Sequence, residues 1–171
     1  ARMGIVDLPD MDSFVEAAAL CTARARPRPG PVAVLGVSGG GVAHVADIAT
    51  EAGLALATLA PATVDRLAAL LPGFATPQNP LDVTGAAFGD PGVYAGALAA
   101  LDADPGVALT VAAQDAPPGL SAEIAAEYLG IAGAVADYGG ATPVIAMTNL
   151  SAGLHPVTAA AYGGALRLQG T

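Results

Sequence analysis

Three short segments of this chain carry residue types that handle anions. In Gly36-Val37-Ser38-Gly39-Gly40-Gly41 a hydroxyl and three consecutive glycines stand directly before the helical pattern of residues 42–49. Glycines let the backbone approach a ligand closely. The first amides of a helix have no intrahelical partner and lie at the positive end of its dipole. Such a turn prefers phosphate or carboxylate, with Ser38, Gly39, Gly40, Gly41 and Val42 as the contacting residues. A tight turn without a ligand is the alternative that these residues alone leave open.

The second segment is Asn79-Pro80-Leu81-Asp82-Val83-Thr84-Gly85. Asn79, Asp82, Thr84 and Gly85 can wall the glycine turn, or Asn and Asp can satisfy their own turn locally. In the third, Gln114-Asp115-Ala116-Pro117-Pro118-Gly119, the chain approaches a helix that Ser121 can cap. It reads as a second anion-facing group of amides, with Asp115, Ala116 and Pro117 as candidate binding residues, or as a plain connector.

Several chemistries are excluded. No Gly-Lys-Ser/Thr follows the glycine turn, and its glycines do not fall in the G-x-G-x-x-G pattern. With one cysteine, Cys21, there is no internal disulfide and no cysteine-based zinc site. No His, Cys and carboxylate spacing reads as a metal site. His44 lies one turn into its helix and His155 precedes Pro156, so both read as structural. No residue is assigned a catalytic role.

These loops need strands and helices to bring them together. Asp10 caps a predicted helix over 11–25, with Phe14, Ala17, Ala18 and Cys21 on its apolar face. Arg24, Arg26 and Arg28 follow in a Pro- and Gly-rich linker. Short apolar runs at 31–37, 54–59, 107–113, 143–148 and 166–169 predict five buried parallel strands. Helices are predicted over 42–49, 62–71, 91–101, 121–138 and 156–162, with Pro61, Pro91 and Pro156 at their starts. This alternation predicts an α/β fold: a flavodoxin-like, open, parallel five-stranded sheet of order 2-1-3-4-5 with helices on both faces. In such sheets ligands sit beyond the carboxyl ends of the strands, where the loops 36–41, 79–86 and 114–120 meet. Residues 1–30 are read as a leading helix and linker, and 31–171 as the domain proper. A start at Ala1-Arg2-Met3-Gly4 and a final strand without a covering helix read as a piece truncated from a longer protein.

Composition narrows the partners. The chain has 171 residues, 6 arginines, no lysine and 15 acidic residues, a net charge of −9. That charge disfavours nucleic acid and anionic membrane surfaces. Hydrophobic residues make up 54%, enough for a sizeable core, and no apolar run approaches the ~18 residues of a membrane span. A single cysteine is compatible with a cytoplasmic location.

Taken together, the segments resemble the NDP-forming acyl-CoA synthetases, the superfamily of succinyl-CoA synthetase. The resemblance runs nearly end to end. Gly4 to Phe14 looks like the lead-in after the family's phosphohistidine domain, and Val34 to Val42 like its strand and glycine turn. Glu51-Ala52-Gly53-Leu54 and Leu70-Leu71-Pro72 look like helix ends, and Asn79 to Gly85 is the most specific match. The resemblance points to the family's second flavodoxin-like domain. It implies a ligase that makes acyl-CoA, ADP and phosphate from a carboxylic acid, CoA and ATP through a phosphohistidine. It implies that the helix after Gly39-Gly40-Gly41 points at that phosphohistidine, that Ser38 faces phosphate or carboxylate, and that 115–118 faces the substrate. Neither His44 nor His155 has the family's histidine-loop context. CoA, ATP/ADP and Mg2+ then belong to the CoA-binding, phosphohistidine and ATP-grasp partner domains, and none binds this domain directly. On that reading the fragment alone is inactive. The alternative is a non-catalytic ligand-sensing module fused to an acetyltransferase.

Overall fold

The computed structural model describes residues 5–22, 27–88 and 90–169. The lead-in residue Gly4, the end of the expected first helix, and Arg24 and Arg26 lie outside them. The elements run α1 (Met11–Cys21), β1 (Val32–Gly36), α2 (Gly39–Glu51), α3 (Pro61–Leu70), β2 (Leu81–Asp82), α4 (Pro91–Asp102), β3 (Leu109–Ala113), α5 (Ala122–Glu127), α6 (Leu129–Ala136), β4 (Val144–Thr148), α7 (Pro156–Ala161) and β5 (Arg167–Gln169). The five strands are parallel, in the order β2-β1-β3-β4-β5.

All five residues of β1 are buried, as a central strand covered on both faces requires. Alternate side chains serve two cores. Ala33 and Leu35 join Leu67 of α3, Tyr94 and Leu98 of α4 and Ile131 of α6 in the larger core. Val34 points the other way, to Val42 and Val45 of α2 and Ala113 of β3. The expected order is observed, but its edge strand is not the expected segment. Residues 54–59 contribute one bridge, Leu56 beside Val32, and β2 is instead Leu81–Asp82, paired with Leu35 and Gly36.

The reason lies in a side chain. Between Leu56 and Leu81 the flank of β1 is filled by Asn79. Its Oδ1 accepts from the Val34 amide at 2.8 Å, and its Nδ2 donates to the carbonyls of Val32 and Ala57, both at 2.9 Å. The carboxamide stands in for a peptide group and joins two short segments into one edge. The chain then leaves the sheet, and buried Asp104 accepts from the amides of Ala60 and Gly106, each at 2.8 Å. Burial works to raise the Asp104 carboxyl, but the Ala60 amide, the Thr63 hydroxyl and the Gly106 amide hold it below the ordinary carboxylate value.

Two helices depart from expectation. The stretch 121–138 breaks at Tyr128 into α5 and α6. Gln114 Nε2 donates to the Tyr128 carbonyl at 2.8 Å, and a side chain inserted at a helix carbonyl is an ordinary cause of a bend. Helix α1 is capped by Asp10, whose Oδ1 accepts from the Ser13 amide at 2.7 Å. Its apolar face is not buried; Phe14 is 55% exposed. Glu16 of α1 accepts a hydrogen bond from the backbone amide of Gln169 in β5. Among the described residues no helix is long and apolar enough to cross a membrane.

Candidate functional site

The carboxyl ends of β1, β3 and β4 open onto a cavity of about 510 Å3. Gly36 lets α2 start directly over the end of β1: a Cβ there would lie 2.6 Å from Val42 Cγ1 and 2.9 Å from the Ala113 carbonyl oxygen. Ser38 caps α2, with its hydroxyl 3.5 Å from the Gly41 amide. The amides of Gly39 and Gly40 have no acceptor among the described residues. Both residues are exposed and are not part of the cavity lining, which includes their neighbours Ser38, Gly41 and Val42.

The far wall carries a carboxylate that is already engaged. Asp115 Oδ1 accepts from the Thr148 hydroxyl at 2.9 Å and the Asn149 amide at 2.7 Å, and its Oδ2 accepts from Asn149 Nδ2 at 3.1 Å. Asn149 Oδ1 is then left buried with no donor. Gln114 has both ends of its carboxamide in use, donating to the Tyr128 carbonyl and accepting from the Tyr162 hydroxyl at 2.9 Å. Burial pushes the Tyr162 phenol up, so it keeps the proton it donates. Gln114 thereby fixes Tyr128, whose ring meets Phe88 edge to face at 4.7 Å between centroids and 82° between planes. Both rings line the cavity.

The structure brings Ser38, Gly41, Val42, Gly85 and Asp115 together around this cavity, and leaves Gly39 and Gly40 exposed outside its lining. It does not bring Asn79 there, because that carboxamide is committed to the edge of β1. Asp82 is also not part of the lining. Its Oδ1 accepts from the Thr84 amide at 2.8 Å, and its Oδ2 would lie 3.0 Å from a Cβ on Gly39. A carboxylate therefore already sits beside the first residue of α2. Thr84 has a φ of 68°, an uncommon conformation for a β-branched residue. Ala116 is buried and its carbonyl accepts from the His155 amide at 2.6 Å, while Pro117 is exposed; neither lines the cavity. Burial, then the Asp82 and Asp90 carboxylates, push the nearby Tyr94 phenol up to about 12.

Sequence reasoning placed Gln114 in the third loop without giving it a role, and missed Phe88, Tyr128 and Asn149. Gln114 and Asn149 directly follow β3 and β4, so the rule that places ligands at strand ends marks both. The two rings are brought in by tertiary packing and carry no local signal. His44 is exposed on α2, and His155 Nδ1 accepts from the Val157 amide at 3.3 Å. Neither lines the cavity.

Among the described residues no arginine or lysine lines the cavity, and no three His, Cys, Asp or Glu side chains are placed to hold a metal ion. The lining therefore does not fit a metal–nucleoside triphosphate. Two other hollows lie elsewhere: about 590 Å3 between α4 and α6, and about 1220 Å3 between α1 and the β5 side of the sheet. Neither holds the amides of the glycine turn.

No protein-family model and no curated protein matches the chain. Solved structures do. The chain superimposes on PH0766 of Pyrococcus horikoshii OT3 with a TM-score of 0.76 and 26% identity, over 98% of this chain and 38% of that one. It is also similar to the dinucleotide-forming acetyl-coenzyme A synthetase 1 of Ca. Korarchaeum cryptofilum. For the apo form the TM-score is 0.64 at 21% identity, over 92% of this chain and 34% of that one. For the complex of that protein with phosphate and ADP the values are 0.60 and 23%, over 88% and 30%. The chain thus spans well under half the length of each. What is shared is the fold: this chain is built like one portion of an acetyl-coenzyme A synthetase.

Proposed function

We propose that this chain is the phosphate- and acyl-site lobe of an NDP-forming acyl-CoA synthetase. One observation carries the reading: the amides of Gly39 and Gly40, unpaired among the described residues, stand between Ser38 and Gly41, which line a cavity at the carboxyl ends of the strands. Oriented amides stabilise charge that develops on a nearby phosphoryl or carboxylate oxygen. The likeness of the fold to a portion of an acetyl-coenzyme A synthetase supports the same reading. The overall reaction takes a carboxylic acid, CoA and ATP to acyl-CoA, ADP and phosphate. Within it this lobe binds and orients; the phosphoryl-carrying histidine, CoA and the nucleotide belong to partner domains. The chain alone does not turn over.

Gly40 gives a clean test, because the nearest atom to a Cβ there is Ser38 Oγ at 4.0 Å. Gly40→Leu therefore blocks the amides with little strain on the fold. In an assembly with the partner domains we expect acyl-CoA formation to fall at least a hundredfold, the scale on which single oxyanion donors act. A loss below threefold in a variant of unchanged stability overturns the proposal.

A further inference from the structure

We propose that the groove between α4 and α6 is a docking site for an amphipathic helix of another protein, whose apolar side chains seat in the groove and whose Lys or Arg meets Asp102 and Asp137 at one end. The groove, of about 590 Å3, shares no lining residue with the cavity at the strand ends, so the proposal does not rest on the acyl-site reading. Small residues make its shape. Ala95 and Ala99 of α4 and Gly130, Gly133 and Ala134 of α6 line it over buried Leu98. Leucines at those positions would close it. Alanine and glycine leave a channel along α4, whose 12 residues span ~18 Å. The apolar face of a helix packs into such a groove between two others.

Charge at one end identifies the occupant. Asp102 is the last residue of α4 and Asp137 caps the C-terminus of α6, and neither helix has a basic residue in its last turn. A helix C-terminus carries the negative end of the dipole and attracts a cation. Here two such ends each carry a carboxylate instead. Asp102 Oδ1 accepts from the Tyr138 hydroxyl at 2.9 Å and from the Thr142 amide at 2.7 Å. Burial works to raise this carboxyl, but those donors hold it below the ordinary carboxylate value, so it is charged at neutral pH. Asp137 is exposed, and the chain beyond Tyr138 continues as Gly139-Gly140, which has no side chain to cover either carboxylate. Among the described residues no arginine lines the groove, and the chain has no lysine. The matching cation comes from the occupant. A second copy does not supply it. Of its described helices only α3 carries an arginine, and Leu67 of α3 is buried in its own core. Two copies would also meet with a net charge of −9 each.

The test uses NMR titration of the full 171-residue chain with two synthetic helical peptides about as long as α4. They share one leucine and alanine face and end in either a lysine pair or a glutamate pair. We expect the lysine peptide to shift amide resonances of α4 and α6 and to bind at least tenfold tighter than the glutamate peptide, a comparison that needs no variant to fold. Ala99→Leu fills the groove from an exposed position, and Asp137→Lys reverses the charge at an exposed cap. Each should weaken the lysine peptide at least fivefold with the urea midpoint unchanged. Equal affinity of the two peptides removes the charged end from the site and overturns the proposal. Binding that neither variant weakens places the peptide elsewhere and overturns it too, as does the absence of binding by either peptide. Self-association of the chain that Ala99→Leu abolishes would put a second copy in the groove, against the proposal.

Discussion

Asn79 and Asn149 carry the same side chain on opposite flanks of the central strands, and the fold uses them differently. Asn79 has each carboxamide atom committed: the oxygen to the Val34 amide, the nitrogen to the carbonyls of Val32 and Ala57. Asn149 donates to Asp115 but leaves its oxygen buried without a donor. The first is a piece of the sheet made from a side chain. The second lines the cavity and keeps a polar group unsatisfied. A buried acceptor without a donor costs free energy, and such deficits gather where a protein must stay chemically open. The edge of β1 is built for stability, and the far wall of the cavity is not.

Exchanging the two residues' roles by mutation tests that contrast. Asn79→Ala should have the largest effect. It strands the Val34 amide and the Ala57 carbonyl, at about 1–3 kcal/mol for each group left unmade. We expect urea denaturation to report a loss of about 2–4 kcal/mol on that account. A loss below 1 kcal/mol would mean that water replaces the side chain and that the edge does not depend on it.

Acid comes next. Asp104 belongs to the same finished region, and its native carboxyl lies below the ordinary value of 3.8. A depressed native pKa adds stability that is complete above the unfolded-state value and is lost as the pH falls through the native one. The folding midpoint should therefore hold down to about pH 4 and drop below it. Asp104→Asn should flatten that acid limb. An unchanged slope below pH 4 would remove Asp104 from the account.

The smallest effect is expected at Asn149. Asn149→Leu deletes an unsatisfied acceptor along with one of the three donors to Asp115, so stability should move by less than about 1 kcal/mol in either direction. A loss as large as that of Asn79→Ala would erase the contrast between the two regions.

The sequence made the same division partly visible. The run Val32–Gly36 is a local signal that the structure places as expected, while the glycines expected as a turn before a helix at 42–49 form the first turn of α2, with Ser38 as its cap. The proline starts at Pro61, Pro91 and Pro156 are also placed as expected. The two-residue strand Leu81–Asp82 was not legible, because two residues carry no periodicity and their pairing depends on Asn79 completing the edge from a side chain. The break at Tyr128 was not legible either: Ala122–Ala136 contains no proline, and the competing donor, Gln114, is distant in sequence. Ser38, Gly41, Val42, Gly85 and Asp115 could be placed at the cavity from loop position alone. Phe88 and Tyr128 could not, since what brings the two rings together is the packing of Phe88, just after the short 3-10 turn Gly85–Ala87, against Tyr128 at the α5–α6 junction.

Glu16 has a consequence beyond its own hydrogen bond. Strand β5 lies last in the sheet, so one row of its backbone groups faces outward, ready to pair with a strand of another molecule. A carboxylate on the Gln169 amide occupies one of those groups and sets a negative charge on the row. Chains lacking α1, or carrying Glu16→Ala, should self-associate through strand addition at concentrations where the intact chain stays monodisperse. The leading helix then acts as a guard against aggregation, even though none of its residues is buried.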